Sequence, residues 1–218
     1  MTPDEYTSIA AAVECETEIS RSRFLCLLSP VGDEAAARER IAQARTLHPR
    51  ARHHCTAFVI GPGGDLERSN DDGEPSGTAG APMLEALRGG GVSDVVVVVV
   101  RYFGGVLLGT GGLTRAYRGA VTEALSLATP VVRQRLLTFD VRTGYASAAT
   151  VEAAARRRGW PVEATYGGEV ELRIGVGKDE VEALRTCVER ATAGEANLEA
   201  AGETWVSRAG DRRSPWPP

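Results

Sequence analysis

Six consecutive valines, Val95 to Val100, constrain this 218-residue chain more than any other feature. A strand that is apolar at every position has no side to offer water. It belongs in the middle of a sheet with both faces covered. Ser93 and Asp94 lead into the run, and Arg101-Tyr102-Phe103-Gly104-Gly105 leaves it. From Gly111 to Ala128 the apolar residues Leu113, Ala116, Tyr117, Ala120, Val121, Ala124 and Leu125 recur at helical spacing. A central strand, a glycine-rich loop and a long helix therefore follow one another.

The flanking segments fill in an α+β domain. Thr17 to Leu28 reads as a strand ending at Pro30-Val31-Gly32. Asp33 to Leu47 is an alanine-rich helix that Asp33 can cap and Pro49 stops. His54 to Ile60 and Asp65 to Asn70 read as a hairpin around Gly61-Pro62-Gly63-Gly64. Asp71 to Gly80 is an ordered loop, and Ala81 to Arg88 a short helix opened by Pro82. After Pro130 the order changes. A strand over Val131–Thr143 precedes a helix over Tyr145–Arg158, a hairpin around Gly167-Gly168, a helix over Asp179–Thr192 and a strand over Asn197–Ser207. That βαββαβ order is the ferredoxin-like motif. Two domains are expected, 1–130 and 131–207, with a disordered tail over 208–218.

Composition excludes several function classes. The net charge of −4 provides no global basic field, so an anion site must be local. Lys178 is the only lysine, which leaves arginine to supply that site. The four cysteines lack C-x-x-C spacing and read as reduced thiols. The N-terminus lacks the pattern of a secretory signal, and the longest apolar run is too short to span a bilayer. A cytoplasmic protein is expected, with no membrane partner, no cofactor and no resident metal.

Three constellations carry chemistry. In Asp71-Asp72-Gly73-Glu74-Pro75-Ser76-Gly77-Thr78 the carboxylates can ligate a hard cation or shape turns and cap the next helix. Arg101, Tyr102, Phe103, Gly104, Gly105, Gly109, Gly111, Gly112, Arg115 and Tyr117 form a loop-to-helix junction. Its glycines let amides approach an anion, its arginines offer forked donors to phosphate, and its aromatics can stack on a base. A closely packed crossover explains the same residues without a ligand. In His48 to Cys55, His53 and Cys55 share a strand face and His54 points to the other. That segment is either a nucleophile pair or a basic turn entering a core strand. Arg156-Arg157-Arg158 reads as a solvated helix end favoured by the dipole.

Taken together these segments resemble the IMPACT/YigZ family. The matching text is Ser22-Arg23-Phe24-Leu25, His48-Pro49 through His53 and Cys55, Asp71 to Pro75 with Gly77 to Pro82, Arg101 to Gly105, and Leu108 to Tyr117. Asn70 stands where that family usually has Ser, and His54 is an extra histidine. The resemblance implies a first domain folded like domain 2 of ribosomal protein S5. It also implies a second domain like the ferredoxin-like domains of elongation factor G. Eukaryotic relatives restrain a stress kinase that controls translation initiation, using an additional domain. The expectation is a non-enzymatic protein associated with RNA or the ribosome, acting on translation under stress. Arg101 and Arg115 would contact phosphates and Tyr102 or Phe103 a base, while His53, Asp71, Asp72, Glu74 and Thr78 position the site. A phosphate-binding enzyme and a module for a regulatory protein partner are the alternatives.

Overall fold

A computed structural model describes residues 3–208 of the chain. It divides into two units, residues 3–133 with 207–208, and residues 134–206. The expected tail over 209–218 lies outside the described residues.

The first unit opens with β1 (Glu5–Ile9), which the sequence reading omits. Next come β2 (Val13–Ile19), β3 (Ser22–Pro30), α1 (Glu34–Leu47), β4 (His53–Ile60) and β5 (Leu66–Asn70). They are followed by α2 (Gly80–Gly89), β6 (Val95–Tyr102) and α3 (Gly109–Leu127). Strands β2 to β6 form a sheet in the order β2-β3-β6-β4-β5, which does not include β1. The valine strand β6 is its central member, antiparallel to both β3 and β4. Alternation along β6 divides the core. Val95, Val97 and Val99 pack with Met83 and Leu87 of α2 and Tyr117 and Val121 of α3. Val96, Val98 and Val100 turn to the face of α1, near Ala37 and Ala44. Burying a valine side chain contributes about 1.5–3 kcal/mol relative to exposure, so this strand anchors the unit.

The ends of α1 agree with the expectation. Asp33 Oδ1 accepts the Ala36 N–H at 2.7 Å, and the helix closes before Pro49. The single strand expected over Thr17–Leu28 is instead a hairpin, β2 turning into β3 at Ser20-Arg21. Both turn residues are left-handed, with φ of 49° and 65°. Such a turn normally carries Asn-Gly or Gly-Gly, so its sequence signal is absent here.

The second unit contains most of β7 (Pro130–Thr143), then α4 (Tyr145–Arg158), β8 (Val162–Tyr166) and β9 (Val170–Val176). A 3₁₀ turn (Lys178–Glu180), α5 (Val181–Thr192) and β10 (Leu198–Arg208) complete it. The strands run β10-β7-β9-β8, and β9 is antiparallel to both β7 and β8. Val151 and Ala155 of α4 and Leu184 and Val188 of α5 pack with Val141, Leu172 and Ile174 of the sheet. Trp160 closes this core and donates its indole N–H to Glu180 Oε1 at 2.9 Å.

The left-handed Arg21 gives a direct stability test. A non-glycine residue there carries about 1–2 kcal/mol of steric cost, partly offset by the greater chain entropy that glycine loses on folding. Arg21→Gly is therefore expected to stabilise the first unit by about 0.5–1 kcal/mol, read as a rise in the denaturant midpoint at constant m-value.

Candidate functional site

The registers gather the motif residues at one end of the first sheet. His53 of β4 lies opposite Arg101 of β6, and Arg23 of β3 lies opposite Tyr102. The β2–β3 turn, the start of β4, the end of β6 and the loop into α3 therefore meet there.

Arg101 does not face this surface. It is only 6% exposed, and its Nη1 donates to Glu74 Oε1 at 2.7 Å. Glu74, 8% exposed, also accepts the Tyr117 hydroxyl at 2.8 Å. The guanidinium lies between two rings, 5.4 Å from the Phe24 centroid and 5.6 Å from that of Phe103. Its Nη2 reaches Ser22 Oγ at 3.4 Å, and the Gly104 N–H donates to the same oxygen at 3.2 Å. Arg101 Nε has no hydrogen-bond partner, and the ring faces supply cation–π attraction in its place. Burial, followed by Cys55 and Glu74, pushes the Tyr117 phenol far above its ordinary value. Of the two guanidiniums expected to meet phosphate, Arg101 is instead consumed by an ion pair inside the core. Tyr117 likewise belongs to the core and not to a ligand surface.

The acidic loop is also committed internally. Asp71 Oδ1 accepts the N–H groups of Ala79 at 3.0 Å and Gly80 at 2.8 Å, and its Oδ2 accepts that of Gly77 at 2.8 Å. This carboxylate ties down the start of α2, where Ala79 offers no cap of its own. Burial alone would raise the Asp71 pKa, but the amides of Gly77, Gly80 and Ala79 hold it below its ordinary 3.8. Asp72 accepts Arg45 Nη2 at 2.6 Å and the His54 N–H at 2.7 Å. The Asn70 side chain accepts the Asp72 N–H at 2.7 Å. His53 Nδ1 lies 2.9 Å from the Asp72 carbonyl, and the Thr78 hydroxyl donates to the Pro75 carbonyl at 2.6 Å. Cys55 is fully buried, donates to the Asp71 carbonyl at 3.0 Å, and is raised to about 12 chiefly by burial. It is a core thiol and not a nucleophile. Among the described residues no group of three or more His, Cys, Asp or Glu is arranged to hold a metal ion.

The loop between β6 and α3 remains open. Phe103 is 50% exposed and Leu107 88%, with Val106 and Gly105 also at the surface. Gly104 is obligatory, since a Cβ there would sit 2.0 Å from the Arg21 carbonyl group. Gly105 and Gly109 take φ of 85° and 68°. No side chain caps α3, and no acid lies in its first turn, so its amides present the positive end of the helix dipole. The exposed Arg115 folds back over that turn, its Nη1 3.6 Å from where a Gly111 Cβ would be. Arg21, Arg50 and Arg52 are exposed at the same end of the sheet. Among the described residues none of these four arginines pairs with an acid. The sequence reading missed Arg21, took Arg50 and Arg52 only as part of a basic turn, and did not place Ser22 in the buried network.

Two stability effects follow. Glu74→Ala strands a buried guanidinium and is expected to cost about 3–5 kcal/mol in urea unfolding. Asp71 is depressed when folded, so its stabilisation is complete above the ordinary 3.8 and is lost as pH falls below that value. Asp71→Asn should therefore flatten the acid limb of stability against pH while lowering stability at neutral pH.

A family model described as the Impact N-terminal domain matches residues 20–125. The Bacillus subtilis (strain 168) protein named IMPACT family member YvyE is 37% identical over 205 residues, 94% of each chain. The Escherichia coli (strain K12) protein named IMPACT family member YigZ is 41% identical over 170 residues, 77% of this chain and 83% of that one. A solved crystal structure of a hypothetical protein superposes with a TM-score of 0.71 at 35% identity, covering 91% of this chain and 98% of that one.

Proposed function

The chain belongs to the IMPACT family, and on that premise we propose that its first unit binds the backbone and bases of single-stranded RNA as part of a cytoplasmic role in translation under stress. The observation that carries this reading is the junction of the loop with α3. Arg115 lies over an uncapped helix start, the exposed Phe103 stands at the beginning of the same loop, and Arg21, Arg50 and Arg52 add unpaired charge. Helix amides and guanidinium forks suit phosphate, and an exposed ring suits any base. Tyr102 is a lesser candidate for stacking, because Arg23 lies over its ring and its hydroxyl meets His48 Nδ1 at 2.9 Å. Arg101, Glu74 and Asp71 shape the loop and touch no ligand.

The domain assignment forms part of the proposal. The first unit is read as a fold like domain 2 of ribosomal protein S5, and the second as a ferredoxin-like fold of the elongation factor G type, with the boundary near Pro130. The strand order β10-β7-β9-β8 supports the second assignment. The phosphate-binding enzyme reading draws on the same glycine-rich loop, while Asp71, Asp72 and Glu74 are engaged by the protein itself. A regulatory protein partner keeps one observation in its favour, the exposed apolar pair Val106 and Leu107. Among the described residues no helix is long and apolar enough to cross a membrane.

Filter binding of a single-stranded oligoribonucleotide tests the reading. Phe103→Ala is expected to weaken binding roughly 5- to 150-fold, the loss of about 1–3 kcal/mol of stacking. Arg115→Ala should reduce the slope of log affinity against log salt by about 0.7, one phosphate contact. Salt-independent binding, or wild-type affinity in both variants, would sink the reading. Loss of a protein partner by Leu107→Ser, with RNA binding untouched, would favour the regulatory-partner role.

A further inference from the structure

The second unit has its own positively charged groove. Helices α4 and α5 border an open groove of about 490 Å³ lined by Thr150, Ala154, Arg157, Arg158, Cys187 and Arg190, among others. No acid lines it. The other arginines of this unit are neutralised. Arg135 pairs with Glu203, Arg142 with Glu171, Arg156 with Glu152, Arg173 with Asp140 and Arg185 with Glu182. The three without an acid partner among the described residues are the three that line the groove. Arg158 is held over the Trp160 ring at 4.9 Å, so part of its conformational freedom is already lost. Arg157 and Arg158 lie in the last turn of α4 and Arg190 in the last turn of α5, where each helix dipole attracts a cation by about 0.3–1 kcal/mol. That attraction does not remove the repulsion among three like charges lining one groove, which an anion relieves.

We propose that this groove binds a chain of phosphate groups, an RNA backbone segment or a free polyphosphate, through Arg157, Arg158 and Arg190. Guanidinium forks give two parallel bonds to phosphate oxygens, and three separate forks match successive phosphates better than one compact anion. The site is independent of the loop before α3, so its fate and that of the RNA reading can be told apart.

Cys187 is half-buried on the groove lining and serves as the reporter. Its alkylation by iodoacetamide is followed in the full chain by mass spectrometry of the Cys187 peptide. One arm carries a single-stranded oligoribonucleotide, the other inorganic tripolyphosphate. Alkylation is expected to slow several-fold in at least one arm. The protection should decline with salt at a log–log slope of about −2 for three backbone phosphates at about −0.7 each. Arg157→Ala/Arg190→Ala should abolish it, and Arg115→Ala should leave it intact. Protection in the oligonucleotide arm identifies a nucleic-acid backbone, and protection in the tripolyphosphate arm alone identifies a small free polyphosphate. Unchanged alkylation of the wild-type chain in both arms overturns the proposal, as does equal protection in the double variant. RNA affinity that is insensitive to Phe103 and Arg115, with Cys187 still protected, would remove the RNA reading of the first unit and leave this groove standing.

Discussion

The buried pair between Glu74 and Arg101 is the interaction on which the motif-bearing end of the first unit depends. It joins residues 27 positions apart, one from the acidic loop and one from the end of the central strand. Tyr117 from α3 and Ser22 from the start of β3 complete the clasp. Four chain segments are therefore held by one charge pair. A buried pair gains little over an apolar replacement, but losing one partner leaves an expensive isolated charge. The consequence is positional. With Arg101 clasped, the strand must end where it does, and the chain leaves the sheet at Phe103 into a loop that Gly104 presses against the β2–β3 turn.

This arrangement divides the motif residues into framework and surface. Asp71, Asp72, Glu74, Thr78, Cys55 and Tyr117 have internal partners, and their chemistry is spent on shaping the loop. Phe103, Val106, Leu107 and Arg115 have few partners and face outward. Acids and arginines in one motif are easily taken for a reactive cluster. Here most of the charges cancel inside the protein, while among the described residues Arg21, Arg50, Arg52 and Arg115 pair with no acid. The same accounting in the second unit isolates Arg157, Arg158 and Arg190. A chain with net charge −4 can thus carry two local positive surfaces.

What was legible in advance follows from how local each signal is. The helix of Glu34–Leu47 was readable from its cap and its proline stop, and Tyr145–Arg158 was also read as a helix. The β2–β3 hairpin was not, because Ser20 and Arg21 adopt left-handed backbone without the glycine that announces it. β1 was also missed, since five residues at the start of a chain carry too short a pattern. Of the site, the segment was legible and the roles were not. Nothing in the spacing says that Arg101 turns inward while Arg115 folds over Gly111.

The sequence by itself determined the α+β layout, the central valine strand, the switch to a βαββαβ order after Pro130 and the family to which the chain belongs. These depend on periodicity, caps and motif order, which are written within a few neighbouring residues. Only the tertiary structure decided which charges are free. That outcome rests on pairings between positions far apart in the chain, such as Glu74 with Arg101 and Arg45 with Asp72. An arginine's availability is a property of what the fold brings beside it, and no local pattern encodes it.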